Sequence, residues 1–310
     1  MSGIAPLQFI RGRRVHDRAI AREPKPAWLK VRAPGSENYL RLKSLMRDLK
    51  LHTVCEEAQC PNIGECWHHG TATFMIMGDV CTRACGYCNV THGTPAALDA
   101  AEPDHLAHAV EALDLAYVVV TSVDRDDLPD YGAGAFAATI RAIKARRPQC
   151  RVEVLIPDFQ GHEGPLRTVL EARPDVLNHN TETVPRLYRI ARPGGRYPRA
   201  IELLDRARRW APDIPTKTGL MVGLGETWDE LVAVFRDLRG VDCRILTIGQ
   251  YLRPSAAHLP MTRYYTPDEF HELKRIALDL GFGHVESGPL VRSSYHAHEQ
   301  AESYAAQTGV

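Results

Sequence analysis

Six of the eight cysteines in this 310-residue chain fall into two tight groups. One is Cys81-Thr82-Arg83-Ala84-Cys85-Gly86-Tyr87-Cys88. Three thiolates so spaced wrap one face of a metal ion or cluster but do not close a four-coordinate site. A structural zinc ion would draw a fourth ligand from a second Cys-x2-Cys or a His pair nearby. An iron–sulfur cluster held by three thiolates keeps one iron open for chemistry. The other group is Cys55, Cys60 and Cys66. Its spacings fit neither zinc fingers nor two-cluster ferredoxins, and with three thiols it again implies an incomplete site. Eight cysteines in so long a chain are no disulfide scaffold, and their grouping points to metal. Cys150 and Cys243 lie beside strand-like segments and read as buried packing residues.

The elements that must position these groups change character along the chain. Residues 1–70 read as an irregular extension with short helices, including Tyr39–Leu49 with apolar Leu40, Leu45, Met46 and Leu49. From Thr73 onward, strand, loop and helix repeat. Expected strands are Thr73–Met77, Tyr117–Thr121, Val152–Ile156, Asp175–Leu177, Thr216–Met221 and Arg244–Ile248. Expected helices are Asp104–Leu113, Ala133–Arg146, Gly164–Ala172, Pro198–Trp210, Trp228–Leu238 and Thr266–Leu280. The last opens on a capping box at Thr266 and Glu269, with Pro267 at the first helical position, and stops at Gly281. This α/β repeat implies a parallel sheet covered by helices, either an open doubly wound sheet or a full or partial barrel. Polar residues cluster just after the strands, at Thr121-Ser122, Asn178-His179-Asn180, Gly223-Leu224-Gly225-Glu226 and Gln250. That placement favours a barrel-like fold with one catalytic mouth, where the Cys81–Cys88 loop also lies.

Lys plus Arg and Asp plus Glu are both 38, which gives no basic excess for neutralising phosphates. Arg11, Arg13 and Arg14 form a local run that reads as a solvated arm. No apolar run approaches the length of a membrane span, and the first 30 residues lack the apolar core of a secretory signal. A cytoplasmic protein that uses neither membrane nor nucleic acid is expected.

The Cys-x3-Cys-x2-Cys spacing, with Tyr87 before the last cysteine, is similar to that of the radical S-adenosylmethionine superfamily. The match narrows through TVCEEAQCPNIGECW from Thr53, CTRACGYC from Cys81, VDRDDLPDYGA from Val123, PDF from Pro157 and NHNTETV from Asn178. GLGET from Gly223, QYLRPS from Gln250 and GPLVRSSYHA from Gly288 complete it. Over residues 25–297 the chain resembles the lipoyl synthase family.

The resemblance implies a partial (β/α)6 barrel over residues 71–285. Residues 1–70 would carry the auxiliary-cluster cysteines, and residues 286–310 would fold back with the Arg292-Ser293-Ser294-Tyr295 motif. It implies two [4Fe–4S] clusters. Cys81, Cys85 and Cys88 would hold the one that reduces S-adenosylmethionine to a 5′-deoxyadenosyl radical. Cys55, Cys60, Cys66 and the Ser294 oxygen would hold the auxiliary one. The implied reaction inserts sulfur at C6 and C8 of an octanoyl chain on a carrier-domain lysine, consuming two S-adenosylmethionine and dismantling the auxiliary cluster. Tyr87, Thr121, Asn178, Glu182, Arg192, Gly223 and Gly225 are candidates for contacting S-adenosylmethionine. The plainer readings are that Glu182 caps a turn and Arg192 faces water. His52, His68 and His69 flank the first cysteine group outside the ligand set and read as surface or packing residues.

Implied partners are octanoylated carrier domains (2-oxoacid dehydrogenase E2 subunits, glycine cleavage H protein), an electron donor such as ferredoxin or flavodoxin, and an iron–sulfur carrier that rebuilds the cluster. Two competitors are a biotin synthase-like sulfur inserter and a zinc module that binds RNA or protein. The first cysteine group and RSSY argue against the former; the neutral charge and missing fourth ligands argue against the latter. Cys85→Ala is predicted to abolish 5′-deoxyadenosine formation, measured by chromatography under anaerobic reduction. Wild-type rates in that variant would refute the assignment.

Overall fold

Ser36 caps the first described helix: its hydroxyl accepts from the Tyr39 N–H, and α1 (Glu37–Asp48) buries Leu42 and Met46. The computed structural model describes residues 25–31, 33–68 and 73–308. The Arg11, Arg13 and Arg14 run and His69 lie outside them. After α1 come β1 (His52–Thr53), α2 (Val54–Glu57) and α3 (Ile63–His68). The fully buried Trp67 of α3 meets the Tyr39 ring of α1 at 4.9 Å, which fixes the extension.

The repeat then runs β2 (Thr73–Ile76), β3 (Val80–Cys81), β4 (Thr91–His92), α4 (Glu102–Ala112), β5 (Tyr117–Ser122), α5 (Ala133–Arg146) and β6 (Arg151–Leu155). It continues with α6 (Glu163–Glu171), β7 (Val176–Asn178), α7 (Pro185–Ala191), α8 (Tyr197–Trp210), β8 (Thr216–Val222), α9 (Trp228–Gly240) and β9 (Ile245–Gln250). α10 (Pro267–Asp279), β10 (His284–Gly288) and α11 (Ala297–Thr308) end it. The sheet order is β1-β2-β5-β6-β7-β8-β9-β10, with all pairs parallel except β1 on β2. β1 does not pair with β10, so the six-strand repeat makes a partial barrel and the full barrel is excluded. Strands buried on both faces, such as β5 with Val118, Val119 and Val120, read as continuous apolar runs for that reason.

The six expected strands and six expected helices all form, with ends within two residues. β10 was not anticipated; its sequence HVESG offers one fully buried apolar residue, Val285, too weak a pattern to read as a strand. It spans the expected boundary at 285–286. The two-residue strands β3 and β4 pair Val80 with Thr91 and Cys81 with His92, closing the base of the cysteine loop. The capping box of α10 forms in full, and Gly281 follows it at a φ of 95°. Cys150 and Cys243 are fully buried in the core.

Asn178 belongs to a buried network at mid-height of the sheet. Lys217, its register partner, lies 2.9 Å from the Glu153 carboxylate, which also accepts from Asn178 Nδ2 at 2.9 Å and Tyr117 Oη at 2.7 Å. Burial pushes the pKa of the Lys217 ammonium down, and Glu153 opposes the shift. Lys217→Ala strands the Glu153 charge and is predicted to destabilise the fold by about 3 kcal/mol. Chemical denaturation of the purified variant measures it.

Candidate active site

The Cys81–Cys88 loop is held at the C-terminal edge of the sheet by Arg83. Its Nε donates to Asp126 Oδ2 at 2.6 Å and its Nη2 to Asp158 Oδ1 at 2.7 Å, with Asp124 at 3.4 Å. Three carboxylates on one buried guanidinium bind the loop to the ends of β5 and β6. The paired Arg83 and neighbouring Arg192 hold the Asp158 carboxyl well below the usual range, against the opposing effect of burial. Thr82 adds two bonds to the Asp124 carbonyl, and the Gly86 N–H donates to Ala191 O.

This loop gathers three thiols, and backbone N–H groups already point at two of them. Arg83 and Asp124 N–H donate to Cys81 Sγ at 3.4 and 3.3 Å, and the Val90 N–H faces the Cys88 sulfur and favours its thiolate. Burial first, then Asp124, pushes the Cys81 thiol up to about 11. Burial likewise pushes Cys85 up to about 12 despite Arg192, and raises Cys88. Buried thiols this reluctant to ionise, yet met by sulfur-directed donors, suit a cationic cluster that takes them as thiolates.

The first group shows the same signature. Cys55 sits in α2 behind its Thr53 cap, Cys60 N–H donates to Cys55 O, and Cys66 lies on α3. Burial, then the adjacent Cys60 and Cys66, pushes the Cys55 thiol up to about 12. Burial also raises Cys60, against the pull of Arg292. The C-terminal segment folds onto this group: Asn62 Nδ2 donates to Leu290 O at 2.7 Å and Tyr295 Oη to Glu65 at 3.0 Å. Asn89, beside Cys88, donates to Glu57 O at 3.1 Å and ties the two cysteine regions together.

Both groups open on one cavity of about 920 Å³ inside the partial barrel, lined by Cys55, Cys60, Cys66, Cys88, Tyr87 and Ser294 among others. A neighbouring space of about 220 Å³ touches Cys81, Cys85, Cys88, Tyr87, Glu182 and Arg192. Glycines of β8 and β9 admit the C-terminal segment. A Cβ on Gly219 would sit 2.6 Å from Ser293 Oγ, and one on Gly249 would strike the Val291 carbonyl. Ser293 Oγ donates to Asn180 Oδ1 at 2.7 Å, whereas Ser294 lines the cavity without a hydrogen-bond partner among the described residues.

Of the candidates for S-adenosylmethionine, Tyr87, Thr121, Glu182 and Arg192 line one or both spaces. Glu182 sits at a φ of 70°, an unusual backbone for a side chain of its size, and its carboxyl lies beside Asn180 and Tyr87. Burial raises its carboxyl, opposed by Arg192. Arg192 is buried rather than water-facing, donates to Asn180 O at 2.8 Å, and leaves its Nε without a partner. Thr121 donates to Leu155 O. Asn178 lines neither space, because it points into the Glu153–Lys217 network; Asn180, two residues nearer the strand ends, lines both. Gly223 and Gly225 also lie outside them, in a turn where Glu226 accepts from the Gly223 and Leu224 N–H groups at 2.6 and 2.9 Å. His52 is partly exposed and pairs with Glu57 at 3.3 Å; His68 ends α3.

Arg83, Asp124, Asp126, Asp158, Asn180 and Arg292 escaped the sequence reading as site residues. Their signal was present: each lies in or beside a motif string, and Asp124, Asp126 and Asp158 follow strands at the catalytic edge.

The family described as the Radical SAM superfamily matches residues 75–238, and the N-terminal domain of lipoyl synthase of that family matches residues 10–60. Fold comparison agrees. Methylornithine synthase superposes with a TM-score of 0.52 at 14% identity, covering 84% of this chain and 81% of that one. The [FeFe]-hydrogenase maturase HydG gives 0.53 at 14%, covering 75% and 62%. The fold and the Cys81–Cys88 loop therefore define a radical S-adenosylmethionine enzyme, a class that implies a [4Fe–4S] cluster and S-adenosylmethionine.

The lipoyl synthase of Koribacter versatilis is 61% identical over 280 residues, 90% of this chain and 92% of that protein. That of Rubrobacter xylanophilus is 58% identical over 281 residues, 91% and 88%. The chain belongs to the lipoyl synthase family and is an enzyme of the sulfur-inserting type.

A pH prediction follows from His179, fully buried beside Arg192. Its Nδ1 donates to Ile156 O at 2.8 Å, so Nε2 carries no proton. Burial, aided by Arg192, lowers its pKa from 6.5 to about 3. Above 6.5 the ring is neutral in both folded and unfolded chains. Below it only the unfolded chain takes up the proton, so stability falls with pH, approaching about 1.4 kcal/mol per unit. Wild type is predicted to lose stability relative to His179→Gln between pH 6.5 and 4, measured by denaturant titration at each pH.

Proposed function

We propose that this chain inserts two sulfur atoms, at C6 and C8, into an octanoyl chain held on a carrier-domain lysine. The observation that carries the reading is the shared cavity: both cysteine groups face one space of about 920 Å³. These C–H bonds lie beyond any side-chain acid or base, so the hard chemistry belongs to cofactors. Cys81, Cys85 and Cys88 would hold one [4Fe–4S] cluster; Cys55, Cys60, Cys66 and Ser294 would hold a second. When bound, the clusters supply the electron that cleaves S-adenosylmethionine and the sulfide that enters the product.

The chain's own residues do the rest. Arg192 offers a buried cation for the carboxylate of S-adenosylmethionine, and Glu182 an acceptor for its amine or ribose hydroxyls. Apolar Val54, Val119, Leu155 and Leu220 line the cavity and suit an eight-carbon chain. Ser294 presents a hydroxyl with no hydrogen-bond partner among the described residues, a harder and more exchangeable donor to iron than a thiolate. The Ser293 hydroxyl, by contrast, donates to Asn180 Oδ1, which supports Ser294 as the ligand.

The substrate-bearing partner is a lipoyl carrier domain, of the 2-oxoacid dehydrogenase E2 or glycine cleavage H type. A ferredoxin or flavodoxin would supply electrons, and an iron–sulfur carrier would rebuild the auxiliary cluster. A cytoplasmic location fits eight free cysteines, and no described helix is long and apolar enough to cross a membrane.

Anaerobic turnover of an octanoylated lysyl peptide, read by mass spectrometry, tests the reading. Wild type is predicted to add two sulfurs. Cys60→Ala should cleave S-adenosylmethionine yet add none, and Ser294→Ala should add far less than wild type. Lipoyl product from Cys60→Ala would sink the assignment of the auxiliary group as sulfur source.

A further inference from the structure

The segment after β9 returns over the cysteine loop. It docks there without help from His258, because Leu259 N–H donates to Gly86 O at 2.8 Å and the Tyr251 hydroxyl donates to Leu259 O at 2.9 Å. One side chain adds something different. His258 Nε2 lies 3.0 Å from the carbonyl oxygen of Cys88, and its Nδ1 lies 2.8 Å from Ser255 Oγ.

Donor and acceptor roles follow without ambiguity. A carbonyl oxygen only accepts, so Nε2 carries the hydrogen. In the neutral ring Nδ1 then accepts, and the Ser255 hydroxyl is its donor. Ser255 Oγ in turn accepts from the Ala257 N–H at 3.2 Å, while Arg253 Nε holds His258 O at 2.9 Å. The ring is thus fixed in tautomer and in place, with its one hydrogen aimed at Cys88.

We propose that His258 is a positioning residue for the cluster on Cys81, Cys85 and Cys88, acting through the peptide carbonyl of Cys88. This rests on those cysteines being the ligands. By holding that carbonyl, His258 fixes the peptide that leads into Asn89 and Val90. That peptide in turn sets how the Val90 N–H faces the Cys88 sulfur, whose thiolate it favours. An N–H to a ligating sulfur favours the more negative, reduced cluster and raises its potential. Without His258 the carbonyl is free to turn, the sulfur loses its donor, and the potential falls.

The test uses the full chain reconstituted anaerobically, with His258→Ala, His258→Gln and Ser255→Ala. Gln keeps a donor at the reach of Nε2; Ser255→Ala keeps the ring but frees its tautomer. The readouts are the midpoint potential of each cluster by spectroscopic redox titration, and the rate of iron loss to a chelator. His258→Ala is expected to lower the potential of the Cys81–Cys88 cluster and to speed its iron loss about tenfold. The auxiliary cluster should be unchanged, Gln should restore both values, and Ser255→Ala should fall between. A wild-type potential and loss rate in His258→Ala would overturn the proposal, as would equal change at both clusters or a Gln variant no better than Ala. Replacing Cys81, Cys85 and Cys88 together by serine checks the underlying assignment: undiminished iron there would bring down both readings.

Discussion

A buried thiol resists giving up its proton, and six buried or half-buried thiols around two adjoining spaces constrain everything near them. Burial pushes five of these thiols upward, Cys55 and Cys85 to about 12. Burial favours the neutral thiols, so a cationic cluster would take them as thiolates only if the loops hold the sulfurs together beforehand. The Arg83 cluster does this for one group, where three carboxylates on one guanidinium leave the loop little freedom. Helix α2, α3 and the packed Trp67 do it for the other.

The second dependence is on closure from the C-terminal side. An open parallel sheet leaves its inner face accessible, and the segment after β10 lies across that face. It reaches there because Gly219 and Gly249 present no side chains, and it is held by Asn62, Glu65 and Asn180, which come from two distant parts of the chain. Ser293 and Ser294 consequently have separate tasks: one anchors the segment, and the other faces the cavity.

Much of this was legible before any coordinates. The cysteine spacings, the alternation of apolar strands with helices, and the capping box of α10 are local patterns, and each leads directly to an element. β10 was illegible because its packing supplies what its apolar content does not. That Asn180 and not Asn178 lines the two spaces was illegible for a related reason. Polarity after a strand marks a neighbourhood, but a shift of two residues along β7 decides between a core network and the cavity. The carboxylates of Arg83 lay within motif strings, yet only the fold reveals that Asp124, Asp126 and Asp158 converge on one cation. His258 had no signal at all, since its partner is a backbone carbonyl 170 residues away.

The central claim is that each cysteine triad holds its own cluster and that both face one cavity. Iron quantification with Mössbauer spectroscopy on anaerobically reconstituted protein tests it most directly, comparing wild type with variants in which either triad is replaced by alanine. The account predicts about eight irons in wild type and about four in each variant, since each cluster contributes four. About four irons in wild type, all lost with one triad and none with the other, would contradict it.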